Sequence, residues 1–311
     1  MNTEQYLERN AAAVNAALPG FVRGLKGAEP GLAAAMLYSL SAGGKRLRPA
    51  LMGAAYEVFG GRAKDILPAA CALEMVHTYS LIHDDLPCMD DADLRRGRAA
   101  CHKVYGEARA VLAGDALLTD AFTVLTGSRY PARVRKESLL AAAGILARRA
   151  GARGMVAGQA ADLAAEGFLD RKRKLPAARL KREGLELLAY IHLHKTADLI
   201  TAAVEMGAAL GGAGGKELKA LSAFGRDIGL CFQVADDILD AAGDSAKLGK
   251  SASDAANHKL TYATLLGVRA ARERGGALLR SALKNLARAG GAPAAAARLA
   301  ALAGFVHGRD R

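Results

Sequence analysis

The chain has 311 residues, 51% of them hydrophobic, and its formal net charge at pH 7 is +12. This composition argues against disorder, and the length allows a sizeable buried core. The positive charge would suit a nucleic-acid-binding protein, but aromatic residues make up only 5% and no finger, RNP-like or helix-turn-helix pattern accompanies the charge. We therefore expect no nucleic-acid partner.

The sequence also lacks the signals of export and membrane insertion. Its four cysteines show neither paired metal spacing nor a disulfide framework, which fits buried thiols in a reducing compartment. The first residues contain no basic segment followed by an apolar one, and the longest uncharged apolar runs, such as 31–40, are too short to span a bilayer. These features predict a cytoplasmic protein without stable membrane insertion.

Nearly every segment has the pattern of a helix. Apolar residues recur at helical period, alanine and leucine dominate, and no stretch alternates strictly as a strand would. Pro19-Gly20 is expected to end the first helix, and Pro68 to open the fourth. The helices are predicted over residues 6–18, 31–41, 49–59, from 68 onwards, 105–126, 133–150, 152–166, 185–211, 216–241, 259–286 and 292–306.

The most basic run, from Asp170 to Arg182, is predicted to be an exposed loop between helices. No repeat, low-complexity linker or domain boundary interrupts the chain. We therefore expect a single all-α domain over residues 1–311.

The first cluster of acidic residues lies between His83 and Gly97. Five carboxylates fall within ten residues there, and two arginines follow at once. Two carboxylates ~4 Å apart repel each other by about 4 kcal/mol at an effective dielectric of about 20, so hard divalent cations are natural counter-ions. Pro87 cannot donate to the carbonyl of His83, and the helix is expected to kink or bulge there, which would bring Asp84 close to Asp90.

A second cluster repeats this chemistry at the end of another apolar helix. Asp236 and Asp240 are four residues apart, which places them on one helical face with their Cβ atoms roughly 5–6 Å apart. Two such clusters are far more informative than one.

A third stretch, GGKRLRP at residues 43–49, has the composition of a phosphate site. Its two glycines allow close approach of the backbone to a ligand, and its three cations suit phosphate groups. Taken alone this stretch is a moderate signal, because a solvated helix N-terminus with basic residues is common.

Six motifs follow one another along the chain: GGKRLRP, DDLPCMDDADLRRG, LAGDALL, GQAADL, HLHKT and FQVADDILD. In this order they resemble the trans-type short-chain isoprenyl diphosphate synthases, in particular the farnesyl and geranylgeranyl diphosphate synthases. The resemblance covers about residues 37–266. It implies a large all-α bundle of the isoprenoid synthase type with a central active-site cavity, and it implies a homodimer.

The resemblance also implies a magnesium site and two substrate sites. In the family, several Mg²⁺ ions clamp the diphosphate of an allylic substrate, and Asp237 and Asp240 are expected to support their ligands. The residues that match the metal ligands are Asp84, Asp85, Asp90 and Asp236. The residues that match contacts to the allylic diphosphate are Arg95, Lys195, Thr196, Gln233 and Lys259. The residues that match the metal-free pocket for isopentenyl diphosphate are Lys45, Arg48, His77 and Arg96.

The implied reaction needs no protein nucleophile. The diphosphate leaves the allylic substrate while metal ions neutralise its developing charge, and the double bond of isopentenyl diphosphate attacks the allylic cation. The residues expected to assist this ionisation are Asp84, Asp85, Asp90, Asp236 and Lys195. For Gln159 and Asp162 of GQAADL, a role in the site and a role in hydrogen bonding between helices are both open.

One segment departs from the family pattern. Residues 248–263 read LGKSASDAANHKLTYA, one residue shorter than the family's two glycine–lysine pairs before Thr-Tyr-Pro. His258 replaces a glycine and Ala263 replaces the proline, whereas Lys259 is retained. We expect an altered loop over the diphosphate, with an effect on rate and none on the class of reaction.

Tyr79 and Ser80 match the family positions that form the floor of the product tunnel, five and four residues before the first aspartate. A tyrosine ring is bulky enough to stop the product near fifteen carbons, so the sequence favours a farnesyl diphosphate synthase. The flanking DDLPCMD and YIHLHKT also look like geranylgeranyl enzymes, and a twenty-carbon product remains the alternative.

Three other classes are disfavoured. A terpene cyclase would lack the pocket of Lys45, Arg48 and His77 and a second DDxxD motif. A non-catalytic subunit of a heteromeric synthase should have lost one aspartate motif, and both are present. A calcium-binding protein would need EF-hand-like spacing, which is absent.

Overall fold

The computed structural model describes residues 2–168, 172, 174–241 and 260–308. Its helices are α1 (Thr3–Arg23), α2 (Pro30–Leu40), α3 (Leu47–Val58), α4 (Leu67–Asp84), α5 (Cys101–Tyr105), α6 (Glu107–Gly127), α7 (Lys136–Ala150), α8 (Met155–Ala165), α9 (Ala177–Ile191), α10 (Asp198–Leu210), α11 (Gly215–Ala241), α12 (Tyr262–Leu266), α13 (Val268–Ala289) and α14 (Pro293–His307). A 3-10 helix, Ala63–Ile66, precedes α4. The strands in the described part of the chain are β1 (Leu94–Arg95) and β2 (Arg98–Ala99), which form one antiparallel hairpin. The expected all-α fold is confirmed.

Helix α10 lies at the centre of the bundle. All 13 of its residues are buried, so it has no solvent face. Helices α3, α7 and α11 pack around it; α11 packs in turn on α13, and α4 packs on α6. The core is one large cluster of apolar side chains with a smaller cluster between α9, α11, α12 and α13. The segments next to α10 are therefore held on several sides.

The first helix does not end at Pro19, contrary to the prediction. It continues to Arg23, and Leu18 and Val22, each 1% exposed, lie one turn apart on its buried face. A proline inside a helix costs about 3 kcal/mol. Burying two large aliphatic side chains contributes ~1.5–3 kcal/mol each, which is enough to offset that cost.

Two later boundaries also differ from the prediction. The helix predicted over 185–211 begins at Ala177, so the second half of the basic run is helical, and it contains a six-residue π-helix, His192–Ala197, between α9 and α10. We call this segment the π-turn. The helix predicted over 259–286 is divided at Gly267, whose φ of +83° ends α12 before α13 begins.

By length and composition, α6 could span a membrane, and it is the one such helix in the described ranges. In the fold it packs along α4, and a Cβ on its Gly114 would lie 2.1 Å from Nε2 of His83. Its outer side carries exposed apolar side chains, Val111 and Leu112 among them. Helix α6 is therefore a bundle helix with an uncovered apolar face.

Candidate active site

The first aspartate motif folds back on the end of α4. The helix ends at Asp84, and the amide of Asp90 donates to the carbonyl of Asp84 across six residues at 2.8 Å. The amide of Asp91 donates to the carbonyl of Leu86 at 3.1 Å. Pro87 therefore lies in a turn after the helix instead of kinking a continuing helix, but the expected approach of Asp84 and Asp90 is found.

Asp84 is a half-buried carboxylate with an unusually high pKa. Burial raises its pKa to about 7, with Asp90 adding to the rise and Lys195 opposing it. A carboxylate in this setting gains from a further cation beside it, because its negative charge is incompletely offset by the protein.

Asp85 forms an ion pair with Arg95. It is 2% exposed, and Arg95 Nε donates to its two carboxylate oxygens at 2.9 and 3.1 Å, with Arg95 Nη2 also bonded to Oδ1. Arg95 comes from the β1–β2 hairpin, which turns through Arg96 and Gly97, both at positive φ (55° and 74°). Arg95 and Asp85 were expected to bind diphosphate and metal respectively, and a metal ion on Asp85 would share that carboxylate with the guanidinium.

The π-turn carries Lys195, whose ammonium group interacts with the acidic residues of the site. Lys195 Nζ donates to Asp162 Oδ2 at 2.5 Å. Burial lowers the pKa of Lys195, but Asp162, Asp84 and Asp90 together raise it above its ordinary value. Asp162, whose role the sequence left open, is therefore a direct partner of the lysine.

The same turn reaches the second aspartate motif. Thr196 Oγ1 donates to Gln233 Oε1 at 2.5 Å. Asp236 lies three residues further along α11 and is half-buried, so it shares a helical face with Gln233. The π-turn thus connects the end of α4 with the face of α11 that carries Asp236.

Two glycines allow this close packing of backbones. A Cβ on Gly158 of α8 would lie 1.9 Å from the backbone nitrogen of Lys195. A Cβ on Gly229 of α11 would lie 2.4 Å from Cα of Ala197. Any side chain at either position would push a helix away from the π-turn.

The other acids of the second motif do not share the position of Asp236. Asp237 is buried, accepts from the amide of Tyr262 at 2.8 Å and lies 3.6 Å from His192 Nε2. Asp240 is exposed. Asp237 thus anchors the start of α12, and the expectation that it supports the metal ligands stays untested. Lys259 and most of the altered segment 248–263 lie outside the described residues.

A separate cationic pocket forms around His77. Arg48 Nη1 lies 3.2 Å from His77 Nε2. Burial, followed by the charges of Arg48, Arg96, Arg46 and Arg95, holds the pKa of His77 well below its usual range. His77 is therefore neutral at pH 7, with Nε2 accepting from Arg48 and the proton on Nδ1.

The three cations of GGKRLRP have different roles. Arg46 is 3% exposed and donates to Glu74 at 2.5 Å, to the Leu40 carbonyl at 2.5 Å and to Asn15 at 2.8 Å, so it is a structural residue. Lys45 is exposed, with Nζ 5.3 Å from the centroid of the Phe305 ring. Lys45 and Arg48 remain the candidates for binding phosphate.

The two residues expected at the tunnel floor lie next to the acidic motif. Tyr79 is 6% exposed, and its ring meets that of His83 edge-on at 5.7 Å. Burial and the charge of Asp84 raise the pKa of Tyr79 to about 12. Ser80 Oγ donates to the His77 carbonyl at 2.9 Å, so its hydroxyl is committed to its own helix.

Sequence reasoning missed a network behind the π-turn. His194 Nδ1 lies 2.7 Å from Asp198, and Arg149 donates to both Asp198 and Glu205. The spacing of His194 and Asp198 at i and i+4 was a weak signal for this contact, but nothing in the sequence pointed to Arg149.

The donor set fits Mg²⁺ bound together with a phosphate ligand. Asp84, Asp90 and Asp236 offer hard carboxylate oxygens, and the pKa of Asp84 is raised by burial and by the charge of Asp90. Among the described residues, no three acidic, histidine or cysteine side chains form a complete metal cage. Mg²⁺ commonly binds through one or two carboxylates, several waters and substrate phosphates, so such a cage is not required.

Comparison with known proteins agrees with this arrangement. A family model described as polyprenyl synthetase matches residues 29–297. Geranylgeranyl pyrophosphate synthase 9 of Arabidopsis thaliana is 48% identical over 302 residues, covering 97% of this chain and 80% of that protein. The farnesyl diphosphate synthase of Geobacillus stearothermophilus is 45% identical over 278 residues, 88% of each protein. The solved structure of an FPP/GFPP synthase from Zymomonas mobilis matches with a TM-score of 0.80 and 33% identity over 98% of both chains.

The helical bundle, with its two aspartate motifs and a separate cationic pocket, places the protein among the isoprenyl diphosphate synthases. The chain belongs to the polyprenyl synthetase family, and it is a prenyltransferase.

We predict that Gly158→Ala strongly reduces both activity and thermal stability, because its Cβ would meet the backbone of Lys195 at 1.9 Å. Melting temperature and turnover are measured together. Gly144→Ala on α7 is the matched control, since its Cβ meets only the flexible end of Arg148 at 3.4 Å. There, alanine should be neutral or stabilise the helix by about 0.5–1 kcal/mol. Equal melting temperatures for the two variants would contradict the close packing.

We predict that Asp84→Asn raises the melting temperature of the metal-free protein at pH 8. The folded-state pKa of about 7 lies above the ordinary aspartate pKa of 3.8, so wild-type stability falls as pH rises towards 7 and stays low above it. The advantage of the variant should shrink at pH 5.5, where Asp84 is protonated. Asp93→Asn, at an exposed carboxylate paired with Lys103 at 2.8 Å, is the control. A difference in melting temperature between Asp84→Asn and wild type that does not change with pH would refute the raised pKa of Asp84.

Proposed function

We propose that this prenyltransferase condenses isopentenyl diphosphate with dimethylallyl and then geranyl diphosphate, and that its product is farnesyl diphosphate. Mg²⁺ ions would be held by Asp84, Asp85, Asp90 and Asp236. When bound, Mg²⁺ would supply positive charge for the leaving diphosphate of the allylic substrate.

One observation carries the proposal: adjacent arginines of the hairpin belong to two chemically different environments. Arg95 binds the acidic motif through Asp85. Arg96 donates to the Gly43 carbonyl, and its charge acts on His77 in the cationic pocket more strongly than that of Arg95. A reaction between two diphosphates, one with metal and one without, needs two such environments side by side.

The chain's own residues have distinct tasks in this reaction. Lys195, next to Asp84, would offset the charge of the departing diphosphate, because its raised pKa keeps it protonated. Thr196 and Gln233 would line the region where the allylic carbon loses its leaving group. Arg48, Arg96 and Lys45 would hold the diphosphate of the second substrate by charge alone.

Gln159 is a further candidate for contact with a substrate or a water molecule in this site. It lies one turn before Asp162 on α8, and neither polar atom of its buried amide has a hydrogen-bond partner within the described residues. An unsatisfied buried amide costs about 1–3 kcal/mol, so a substrate or water at this position would stabilise it.

The proposed fifteen-carbon product depends on Tyr79. Its ring is buried and close enough to Asp84 for the charge of that carboxylate to act on it, which supports the proposal that the ring limits the growing chain. A twenty-carbon product is the alternative, because relatives such as the Arabidopsis protein are named geranylgeranyl synthases, whereas the Geobacillus relative is named a farnesyl synthase.

The first experiment incubates the protein with isopentenyl and dimethylallyl diphosphates, with Mg²⁺ or with EDTA, and measures product chain length. Wild type should form a fifteen-carbon product with Mg²⁺ and none with EDTA. Tyr79→Ala should extend the product to twenty carbons or more, while Tyr79→Phe, which keeps the ring, should not.

Different failures of this experiment have different meanings. Product formation in EDTA would refute the metal role. A twenty-carbon wild-type product, or an unchanged product from Tyr79→Ala, would refute the tunnel floor and leave the condensation intact.

We further propose that the protein works as a homodimer through an apolar surface of α6 and its neighbours. Leu112 is 57% exposed on α6, Val104 is 48% exposed on α5, and Leu140 is 75% exposed on α7. Helices α5 and α7 both pack on α6, so the three side chains come from neighbouring helices. Exposed apolar surface that a partner could cover is typical of protein–protein contacts.

Sedimentation should therefore show a dimer for wild type and a monomer for the double variant Leu112→Glu/Leu140→Glu. Leu283→Glu on α13, at a side chain that is 38% exposed, is the control and should remain dimeric. A monomeric wild type, or a dimeric double variant, would rule out this surface as the interface.

A further inference from the structure

We propose that Asp198 and Arg149 are positioning residues, which with His194 fix the π-turn so that Lys195 and Thr196 face the allylic substrate. This inference rests on the proposed function of Lys195 and Thr196, and it adds residues that contact neither the proposed metal ligands nor substrate.

The π-turn requires such support because its backbone conformation is unfavourable. Its hydrogen bonds span five residues instead of four, a geometry that is rare and found mostly as single turns at functional sites. Lys195 and Thr196 are the fourth and fifth of the six residues of the turn, His192–Ala197. A change in its winding would rotate both side chains away from Asp162 and Gln233.

Asp198 closes the turn from its C-terminal end. Its side chain is 2% exposed, and each carboxylate oxygen has its own partner. Oδ1 accepts from Arg149 Nη1 at 2.5 Å, and Oδ2 accepts from His194 Nδ1 at 2.7 Å. His194 directly precedes Lys195, and Asp198 follows Ala197. The hydrogen bond between His194 and Asp198 therefore spans Lys195 and Thr196.

Arg149 connects the hydrogen-bonded pair of His194 and Asp198 to the rest of the bundle. It lies in the last turn of α7 and also donates to Glu205 through Nε at 3.1 Å and Nη2 at 2.7 Å. Asp198 and Glu205 are seven residues apart on α10, about 10 Å along the helix axis. One guanidinium thus neutralises two buried acids, but of these two acids Asp198 is the one that contacts the π-turn.

Because Asp198 contacts the π-turn and Glu205 does not, variants of these two acids can separate a positioning role from a structural one. Asp198→Asn and Glu205→Gln each remove one charge partner of Arg149 with little change in size. If the network only stabilises the fold, both variants should lower the melting temperature and leave the kinetics alike. If Asp198 positions the π-turn, Asp198→Asn alone should affect the allylic substrate.

The experiment measures KM for each substrate, kcat and melting temperature for these variants. Asp198→Asn should lower kcat/KM for the allylic diphosphate by about 10- to 100-fold, the size expected for a misplacement of ~1 Å, with KM for isopentenyl diphosphate unchanged. Glu205→Gln should leave both kinetic parameters near wild type. Arg149→Met should behave like Asp198→Asn, and Arg148→Met, at the exposed neighbouring arginine, like wild type.

A second pair of variants leaves the ion pair of Arg149 and Asp198 in place. His194→Asn keeps a donor near the position of Nδ1 and should retain most of the activity, whereas His194→Phe removes the donor and should reproduce Asp198→Asn. Similar kinetics for these two variants would overturn the inference.

A double-mutant cycle with Lys195→Ala tests the route of the effect. If Asp198 acts through Lys195, the effects of Asp198→Asn and Lys195→Ala on kcat/KM should be clearly less than additive. Full additivity, or equal changes in KM for both substrates, would overturn the positioning role. Wild-type kinetics for Lys195→Ala alone would instead refute the proposed function of Lys195, so the two failures are distinguishable.

Discussion

The ammonium group of Lys195 and the carboxylates around it form the interaction on which the site depends. The lysine bonds Asp162 directly, and its charge also acts on Asp84 and Asp90. Without it, the negative charges of these three partly exposed acids would lose a cation that they share. The position of that ammonium is set by the π-turn, so the winding of one helical turn governs the electrostatics of the whole site.

The backbone around the π-turn leaves little freedom for that position to vary. Gly158 and Gly229 let α8 and α11 approach the turn from two sides more closely than any side chain would permit. The histidines of the turn are held by acids on further elements, His194 by Asp198 and His192 near Asp237. The site is therefore preorganised by packing and ion pairs, as catalytic electrostatics require.

The position of Asp84 in this arrangement lowers the stability of the folded protein. Asp84 keeps a half-buried carboxylate whose pKa is raised by burial to about 7, and this destabilises the folded protein at higher pH. The apolar burial of helix α10 and of the helices packed on it offsets this cost. A cation beside Asp84 would also offset it.

Much of the fold and the class of chemistry follows from the sequence alone. Helical periodicity predicted most helices, and two aspartate motifs with a glycine–cation motif indicated diphosphate chemistry, because these signals are local in the chain. Tertiary structure decided the rest. The continuation of α1 through Pro19 depends on the burial of Leu18 and Val22, and the π-turn depends on contacts with α8 and α11. Arg46 became structural because Glu74 lies 28 residues away in sequence yet 2.5 Å away in space, and Arg149 reaches Asp198 across 49 residues. Such partners are set by packing between distant segments, which no local pattern encodes.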